Sequence, residues 1–476
     1  MTPDEATTPY PELDTPGHLF LYSPPKMHSV SSFRSGETGT MEFQNDIRNE
    51  YGKCDLPSNT VNRIKEGLQK LKLRAEYSPF GVSDSMHWGR VWIDSMRIVC
   101  EGKGVTPELS EASAHAELAE RLSAGLFYPV FEEQVRCNAP GLYNEETNRF
   151  LNYEWMKGYV HAHQDDLENP LRIEDLLAAE SHLTEKDVEE IKNSRMARHW
   201  VDGLSIISGK TVKVPVHFIA YIHGSNGMAA GNTIEEAIIQ ASCEIFERHA
   251  QIQIIKPEKT VPTIDLDSVD DPLIKDMVGL YHKSNVAIMI KDLSFNGLLP
   301  SIGVLFINHN LRPDRLEHRM LIAGASFHSA EGLRRCLLEG VQGRETLRAP
   351  RPQLDRPVVH RSRISDLYML MRCGVSMKDI SFLEQGDRTT YEPIEIKDVL
   401  SEIDEVKRIC TQLDTECVIL NHTHPVLAFP AVRVIIPKVS DFLPFLRKDV
   451  LVSKDTKPSA PQQGEEFSRI MGSFFL

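Results

Sequence analysis

The sequence predicts an α/β chain, with α+β as the nearest variant. Strand-like and helix-like stretches alternate along most of its length. The 476 residues are 41% apolar and 25% charged, the balance of a globular chain, and no run of about 18 apolar residues marks a membrane span. That length suits one large domain or two to three ordinary ones.

Residues 1–45 are rich in Pro, Thr, Ser and Gly and read as a flexible or draped arm, which places the main domain at 46–452. In "SNTVNRIKEGLQKLKLRAE", Ser58 can cap a helix whose Val61, Ile64, Leu68 and Leu71 share one face. "RVWIDSMRIVCEGKG" reads as two paired strands closing on a Gly-Lys-Gly turn. A helix comes next in "TPELSEASAHAELAERLSAGLF", with Thr106 as N-cap and Pro107 at the first position. Residues 132–200 are polar, with short helical patches such as "TEKDVEEIKNSRM", and are expected as an insertion over the core. "LSIISGKTVKVPVHFIAYI" reads as strands leading to a helix that begins after "GSNGMAAGNT". Two strands, "NVAIMIKDL" and "PSIGVLFINH", precede a helix over "AEGLRRCLLEGVQGRETLR". A helix near "DVLSEIDEVKRICTQL" and the strands "ECVILNH" and "AVRVIIP" come last, before a tail of linker composition at 453–476.

A formal net charge of -15 supplies no basic field for a general polyanion binder, so no nucleic-acid partner is expected. The eight cysteines never fall as C-x-x-C, which weakens zinc ribbons and thioredoxin-like chemistry. The first residues lack the basic-then-apolar pattern of a signal peptide. A cytoplasmic protein without a membrane partner is the expectation.

The segment "GSNGMAAGNTIEEAIIQASCEIFERHA" (224–250) puts Glu236, Glu244 and Glu247 on one stripe of a helix, because offsets of eight and eleven return to the same face. Like charges so stacked repel unless a cation sits against them. The pattern recurs. "SAHAELAERLSA" (113–124) and "QASCEIFERHAQ" (240–251) align without gaps as E-x-x-E-R, and "RCLLEGVQGR" carries Glu339 and Gln342 at the same three-residue offset. Ser113 extends the first set by a turn and Arg335 the third. Oxygen ligands on three helices suit Mg²⁺ shared with phosphates, and nearby arginines suit the phosphates themselves.

Each feature also has an innocent explanation. A single E-x-x-E-R is ordinarily a solvated helix face, and Thr233 with Glu236 makes a T-x-x-E capping box. The Gly224, Gly227 and Gly231 stretch around Asn226 and Asn232 is either an anion-binding helix entrance or an ordinary strand-to-helix turn. "GLSIISGKT" (203–211) has five residues between its glycines where a Walker loop has four. The residues after it, "TVKVPVHF", read as strand where a Walker loop opens a helix, so "SGK" is a hairpin turn. "HAHQDD" (161–166) could hold a metal, while "NHTHP" (421–425) reads as an inter-strand loop.

Together with "GKGVTPELSEASAHAELAERLSA" before it and "GASFHSAEGLRRCLLEGVQGR" after it, the glutamate segment closely resembles the YcaO family. "FPAVRVIIPKVSDFLP" is similar to that family's closing P-x-x-R-x-x-x-P stretch, and the resemblance spans roughly residues 60–450. It implies an ATP-binding fold with mixed sheets, several glutamate-bearing helices and no P-loop. It also implies ATP and Mg²⁺ as cofactors, used to phosphorylate a peptide amide oxygen before a nucleophile attacks. A side-chain nucleophile then gives an azoline, sulfide a thioamide, and an amine an amidine. Carried over residue by residue, it implies that Ser113, Glu117, Asn232, Arg248, Arg335 and Gln342 bind the nucleotide. Glu120, Glu236, Glu244, Glu247 and Glu339 would bind metal; no catalytic residue is implied.

This chain departs from the family at "GASFH", where His328 stands in place of an Asp, and at Pro437-Lys438 in place of Pro-Gly. It ends "RIMGSFFL" where azoline-forming members carry a proline-rich tail, which argues against azoline formation. The motif wording is more like stand-alone bacterial members associated with RimO-dependent methylthiolation of a ribosomal protein. A peptide or protein substrate and a sulfur-delivery or RimO-like partner are therefore expected, with a homodimer left open. Competing readings are a non-catalytic ATP-binding accessory and a metal-only hydrolase built on "HAHQDD".

Overall fold

A computed structural model of the chain describes residues 43–127 (except 51 and 97), 143–144, 149–150, 157–177, 183–342, 370 and 374–439 (except 377). Most of the arm and all of the 453–476 tail lie outside the described residues.

The first sheet is an antiparallel meander of β1 (Glu76–Ser83), β2 (Met86–Ile93) and β3 (Ile98–Gly104). Helix α1 (Pro57–Lys70) packs on α2 (Pro107–Phe127), which lies on the sheet. Two expectations change here. Ser58 is inside the first turn of α1: Leu56 is the N-cap, with no side-chain cap bond, and Pro57 sets the start with its fixed φ. "GKG" is the end of β3 rather than a turn. A Cβ on Gly102 would stand 2.1 Å from Ala114 N, and one on Gly104 2.6 Å from Leu109 Cβ, so these glycines admit α2 against the strand.

A short pair, β4 (Tyr143–Asn144) and β5 (Arg149–Phe150), precedes the second sheet. That sheet runs β6 (Val160–His161), β7 (His199–Ser205), β15 (Val418–Asn421), β16 (Ala431–Ile435), β9 (Met228–Ala230), with β8 (Thr211–Pro215) on β7. The single turn α3 (Ile173–Leu176) and helix α4 (Glu185–Lys192) lie in the polar stretch. Its described parts do more than cover the core: Leu171, Ile173, Leu176, Ile191, Ala197 and Trp200 are buried within it. The strand expected through "VPVHFIAYI" stops at Pro215, and Val216–His223 form helix α5.

The third sheet has the order β13 (Arg319–Ala325), β12 (Ser301–Asn308), β11 (Val286–Asp292), β10 (Thr263–Ile264), β14 (Arg388–Thr389). Helix α6 (Ile234–Ile255) packs on β9, β13, β16 and α9 (Val399–Gln412), which makes it the hub between sheets. Its buried side chains include Ala237, Ile238, Ala241, Ile245, Phe246, Ala250 and Ile254. Helix α7 (Pro272–Lys283) and α8 (Ser329–Glu339) flank the third sheet. The expected helix over 330–348 ends at Glu339. A Cβ on Gly340 would stand 2.3 Å from the Tyr281 hydroxyl, so only glycine fits where the chain turns, and Gln342 lies in that turn. Residues 343–348 lie outside the described residues. Among the described strands every ladder is antiparallel except β10–β14, so the mixed fold takes its α+β form.

Candidate functional site

Helices α2, α6 and α8 converge on a cavity of about 580 Å³. Ser113, Glu117, Glu120, Asn232, Glu236, Glu244, Glu247, Arg248, Arg335, Glu339 and Gln342 all line it, so every site residue expected from the sequence reaches the same space.

Glu236 stands at the N-terminal end of α6. Thr233 Oγ1 accepts from Glu236 N at 3.1 Å, which is one arm of the capping box. The return arm goes one residue further back, from Asn232 N to Glu236 Oε2 at 2.8 Å. Asn232 is itself fixed by Thr60, whose hydroxyl donates to Oδ1 at 2.7 Å. Along the same helix Arg248 pairs with Glu247 at 3.4 Å and Glu244 at 3.8 Å. On α2, Arg121 pairs with Glu120 at 3.2 Å and Glu117 at 3.3 Å. Arg335 of α8 donates to Gln240 Oε1 at 2.9 Å, and Glu339 meets Lys103 of β3 at 2.5 Å.

The electrostatics are those of a site short of positive charge. Burial pushes the Glu120 carboxyl up to about 8 and the Glu247 carboxyl up to about 7, and it raises Glu244, although an arginine stands beside each. Near neutral pH this favours the protonated form of Glu120 until a cation takes the proton's place. All of the predicted metal ligands here offer oxygen, the donor set of a hard cation. Among the described residues no three His, Cys, Asp or Glu side chains are gathered closely enough to hold a metal alone. Magnesium shared with phosphates does not need such a cage. The residues therefore fit a magnesium–phosphate ligand.

Several lining groups escaped sequence reasoning. Arg121 had a signal, since it aligns with Arg248 in the gapless repeat. Lys103 sat in what read as a turn. Arg48 and Glu402 had none: the guanidinium of Arg48 chelates the Glu402 carboxylate, 354 positions away, and approaches Glu236 at 3.6 Å. Burial raises the Glu402 carboxyl even so. His328 is the N-cap residue of α8, without a cap bond, and lies 3.6 Å from Glu402.

The glycine-rich stretch is largely explained by packing. Its Met228–Ala230 portion is β9, paired with β16. A Cβ on Gly227 (φ +79°) would stand 2.4 Å from Val434 O, and one on Gly231 2.6 Å from Ala237 N. "SGK" is the β7–β8 hairpin turn: Ser205 N donates to Lys210 O at 3.0 Å and Gly209 takes φ +70°. "HAHQDD" does not line the cavity, and His163 instead contacts Asp165 at 3.4 Å. In "NHTHP", between β15 and β16, His424 Nδ1 accepts from Val426 N and Leu427 N, a turn-forming role. Among the described residues no helix is long and apolar enough to cross a membrane.

A family model described as YcaO cyclodehydratase, ATP- and Mg²⁺-binding, matches residues 101–440. The chain belongs to the YcaO family. It is 27% identical over 268 residues to the ribosomal protein S12 methylthiotransferase accessory factor YcaO of Escherichia coli, covering 54% of this chain and 44% of that protein. An uncharacterized protein of Haemophilus influenzae is 28% identical over 225 residues, covering 46% of this chain and 37% of the relative. The matches thus span less than half the length of these two relatives. Among solved structures, a heterocyclase in complex with substrate and cofactor superposes with a TM-score of 0.59 at 16% identity, over 84% of this chain and 54% of that one. YcaO from Methanopyrus kandleri bound with AMPPCP and Mg²⁺ gives 0.53 at 16% identity, over 86% and 97%. At these identities the likeness is one of fold.

Proposed function

We propose that this YcaO chain binds Mg-ATP in the cavity and phosphorylates an amide oxygen of a peptide or protein, so that a nucleophile can attack the carbonyl carbon. The observation that carries this is the set of half-buried carboxylates interleaved with half-buried arginines around one cavity. Glu120, Glu236, Glu244, Glu247 and Glu339 are assigned to magnesium. Ser113, Glu117, Asn232, Arg248, Arg335 and Gln342 are assigned to the nucleotide. Bound Mg-ATP would supply the phosphoryl group and neutralise the charge that its transfer develops. Arg248 and Arg335 are held in place by Glu247 and Gln240, so their donors are aimed before any ligand arrives.

The family resemblance leads us to propose backbone modification such as thioamidation with a sulfur-delivery or RimO-like partner, and the Escherichia coli relative's name supports a role in ribosomal protein S12 methylthiolation. Cys54, Cys100, Cys243, Cys336, Cys410 and Cys417 are free thiols, in keeping with a cytoplasmic setting. A second reading, a non-catalytic ATP-binding accessory, is favoured by the Escherichia coli relative's description as an accessory factor.

The test is a pair of measurements on the purified chain. Mg-ATP should raise the melting temperature and EDTA should abolish that rise, because a ligand at one hundred times Kd adds about 2.7 kcal/mol. ATP turnover is then measured with and without ribosomal protein S12. Absence of any Mg-ATP shift sinks the nucleotide reading; a shift without turnover under both conditions selects the accessory.

A further inference from the structure

Asn226 comes just after α5 and lines the cavity. It is 6% exposed, yet neither Nδ2 nor Oδ1 has a hydrogen-bond partner. A buried carboxamide left this way destabilises the fold. The backbone around it is fixed several times over. Asn226 N donates to His223 O at 2.9 Å, and Asn226 O accepts from Arg433 Nη1 at 3.3 Å. The other terminal nitrogen of Arg433, a fully buried residue, donates to Gly224 O, while Val434 N donates to Gly227 O at 2.7 Å. A side chain kept unpartnered on so constrained a backbone is set for a group that the chain itself does not supply.

The surroundings say which group. The backbone of Gly227, the next residue, lies near enough to favour the charged Glu244 carboxylate, and Glu120, which feels the charges of Glu244 and Arg433, lines the same cavity as Asn226 and Glu244. Asn226 therefore belongs to the end of the cavity where two oxygen ligands converge. A cation alone would satisfy Oδ1 and strand Nδ2. A bare phosphate would satisfy Nδ2, strand Oδ1 and face two carboxylates. A phosphate carried by a divalent cation answers both atoms at once.

We propose that Asn226 is a further ligand of the Mg-ATP site, its Oδ1 directed to the cation and its Nδ2–H to a phosphate oxygen bound to that cation. This rests on the proposed Mg-ATP function of the cavity.

The test compares wild type with Asn226→Ala and Asn226→Asp by calorimetric titration and by melting curves without ligand, with Mg²⁺ alone and with Mg-ATP. Without ligand, Asn226→Ala should melt at the wild-type temperature or above, since it deletes two orphaned atoms. Its Kd for Mg-ATP should weaken by about tenfold or more, the loss expected for hydrogen bonds to charged groups. Asn226→Asp keeps an oxygen ligand but loses the donor, so Mg²⁺ alone should shift its melting more than in wild type while Mg-ATP binds more weakly. An unchanged Mg-ATP Kd in Asn226→Ala overturns the proposal, and so does a markedly lower ligand-free melting temperature, which would mark the side chain as structural. If wild type itself shows no Mg-ATP binding, the nucleotide reading fails and this proposal falls with it.

Discussion

Glu244 and Glu247 show how much of the chemistry is set by single side chains. On a wet helix face, changing both to Gln would alter stability by less than about 0.5 kcal/mol and leave ligands untouched. Here they line a cavity where burial penalises their charged form, so the neutral Gln side chains should remove that penalty. The ligand-free double variant should melt at or slightly above the wild-type temperature, while the Mg-ATP shift disappears. A variant that keeps the full shift would remove these residues from the site. The sign of the pH dependence has the same cause. Glu247 moves from its ordinary 4.5 to about 7 on folding, and Glu120 to about 8. Their contribution to stability is fully present below about pH 4.5 and is lost as pH rises through those values. The ligand-free wild type should therefore lose melting temperature from about pH 4.5 up to about pH 8, while Mg-ATP affinity rises as these carboxyls give up their protons. Glu244 keeps a quarter of its side chain open to the cavity, so solvent screening makes it the smaller contributor.

At the scale of elements, periodicity and caps were legible wherever one residue type had one job. Thr106 accepts from Leu109 N as expected of an N-cap, and the face of α1 buries Val61, Ile64 and Leu68. The misreadings cluster where a residue answers to a distant neighbour. Gly102 and Gly104 look like a turn but exist for α2, and Gly340 at the C-cap of α8 is glycine because Tyr281 and Phe306 leave no room for a Cβ. The hairpin at Gly209 was readable, because the glycine spacing is wrong for a phosphate loop and its backbone has to take a positive φ. Its consequence is testable. Lys210 is exposed on the turn and does not line the cavity. Lys210→Ala should leave the Kd for Mg-ATP unchanged within error. A loss beyond about tenfold, roughly 1.4 kcal/mol, would return this loop to the site.

Across the whole molecule, the eleven residues carried over by resemblance share one cavity because α6 is the hub on which the sheets and α9 close. What closes it from the chain's early part was invisible in sequence. Residues 1–45 read as an arm and 46–55 as the start of the domain without a pattern, yet Gln44 N donates to Glu235 Oε1 at 2.9 Å and Ile47 bridges to Asp398. Arg48 carries the load. Its side chain is 7% exposed and that of Glu402 2%, with Glu236 within reach of the same guanidinium. No local pattern encodes a pair whose partners lie 354 positions apart. Deleting one partner of a buried ion pair strands the other, so Arg48→Ala should cost about 3–5 kcal/mol in urea unfolding, far more than an exposed pair is worth. Replacing Glu402 by Gln as well removes the stranded charge and should recover more than half of that loss. The coupling is what matters: if the double variant is no more stable than Arg48→Ala alone, the pair is not the clasp between the two ends of the domain. If Arg48→Ala costs less than about 1 kcal/mol, solvent reaches Glu402 freely and this wall of the cavity is open.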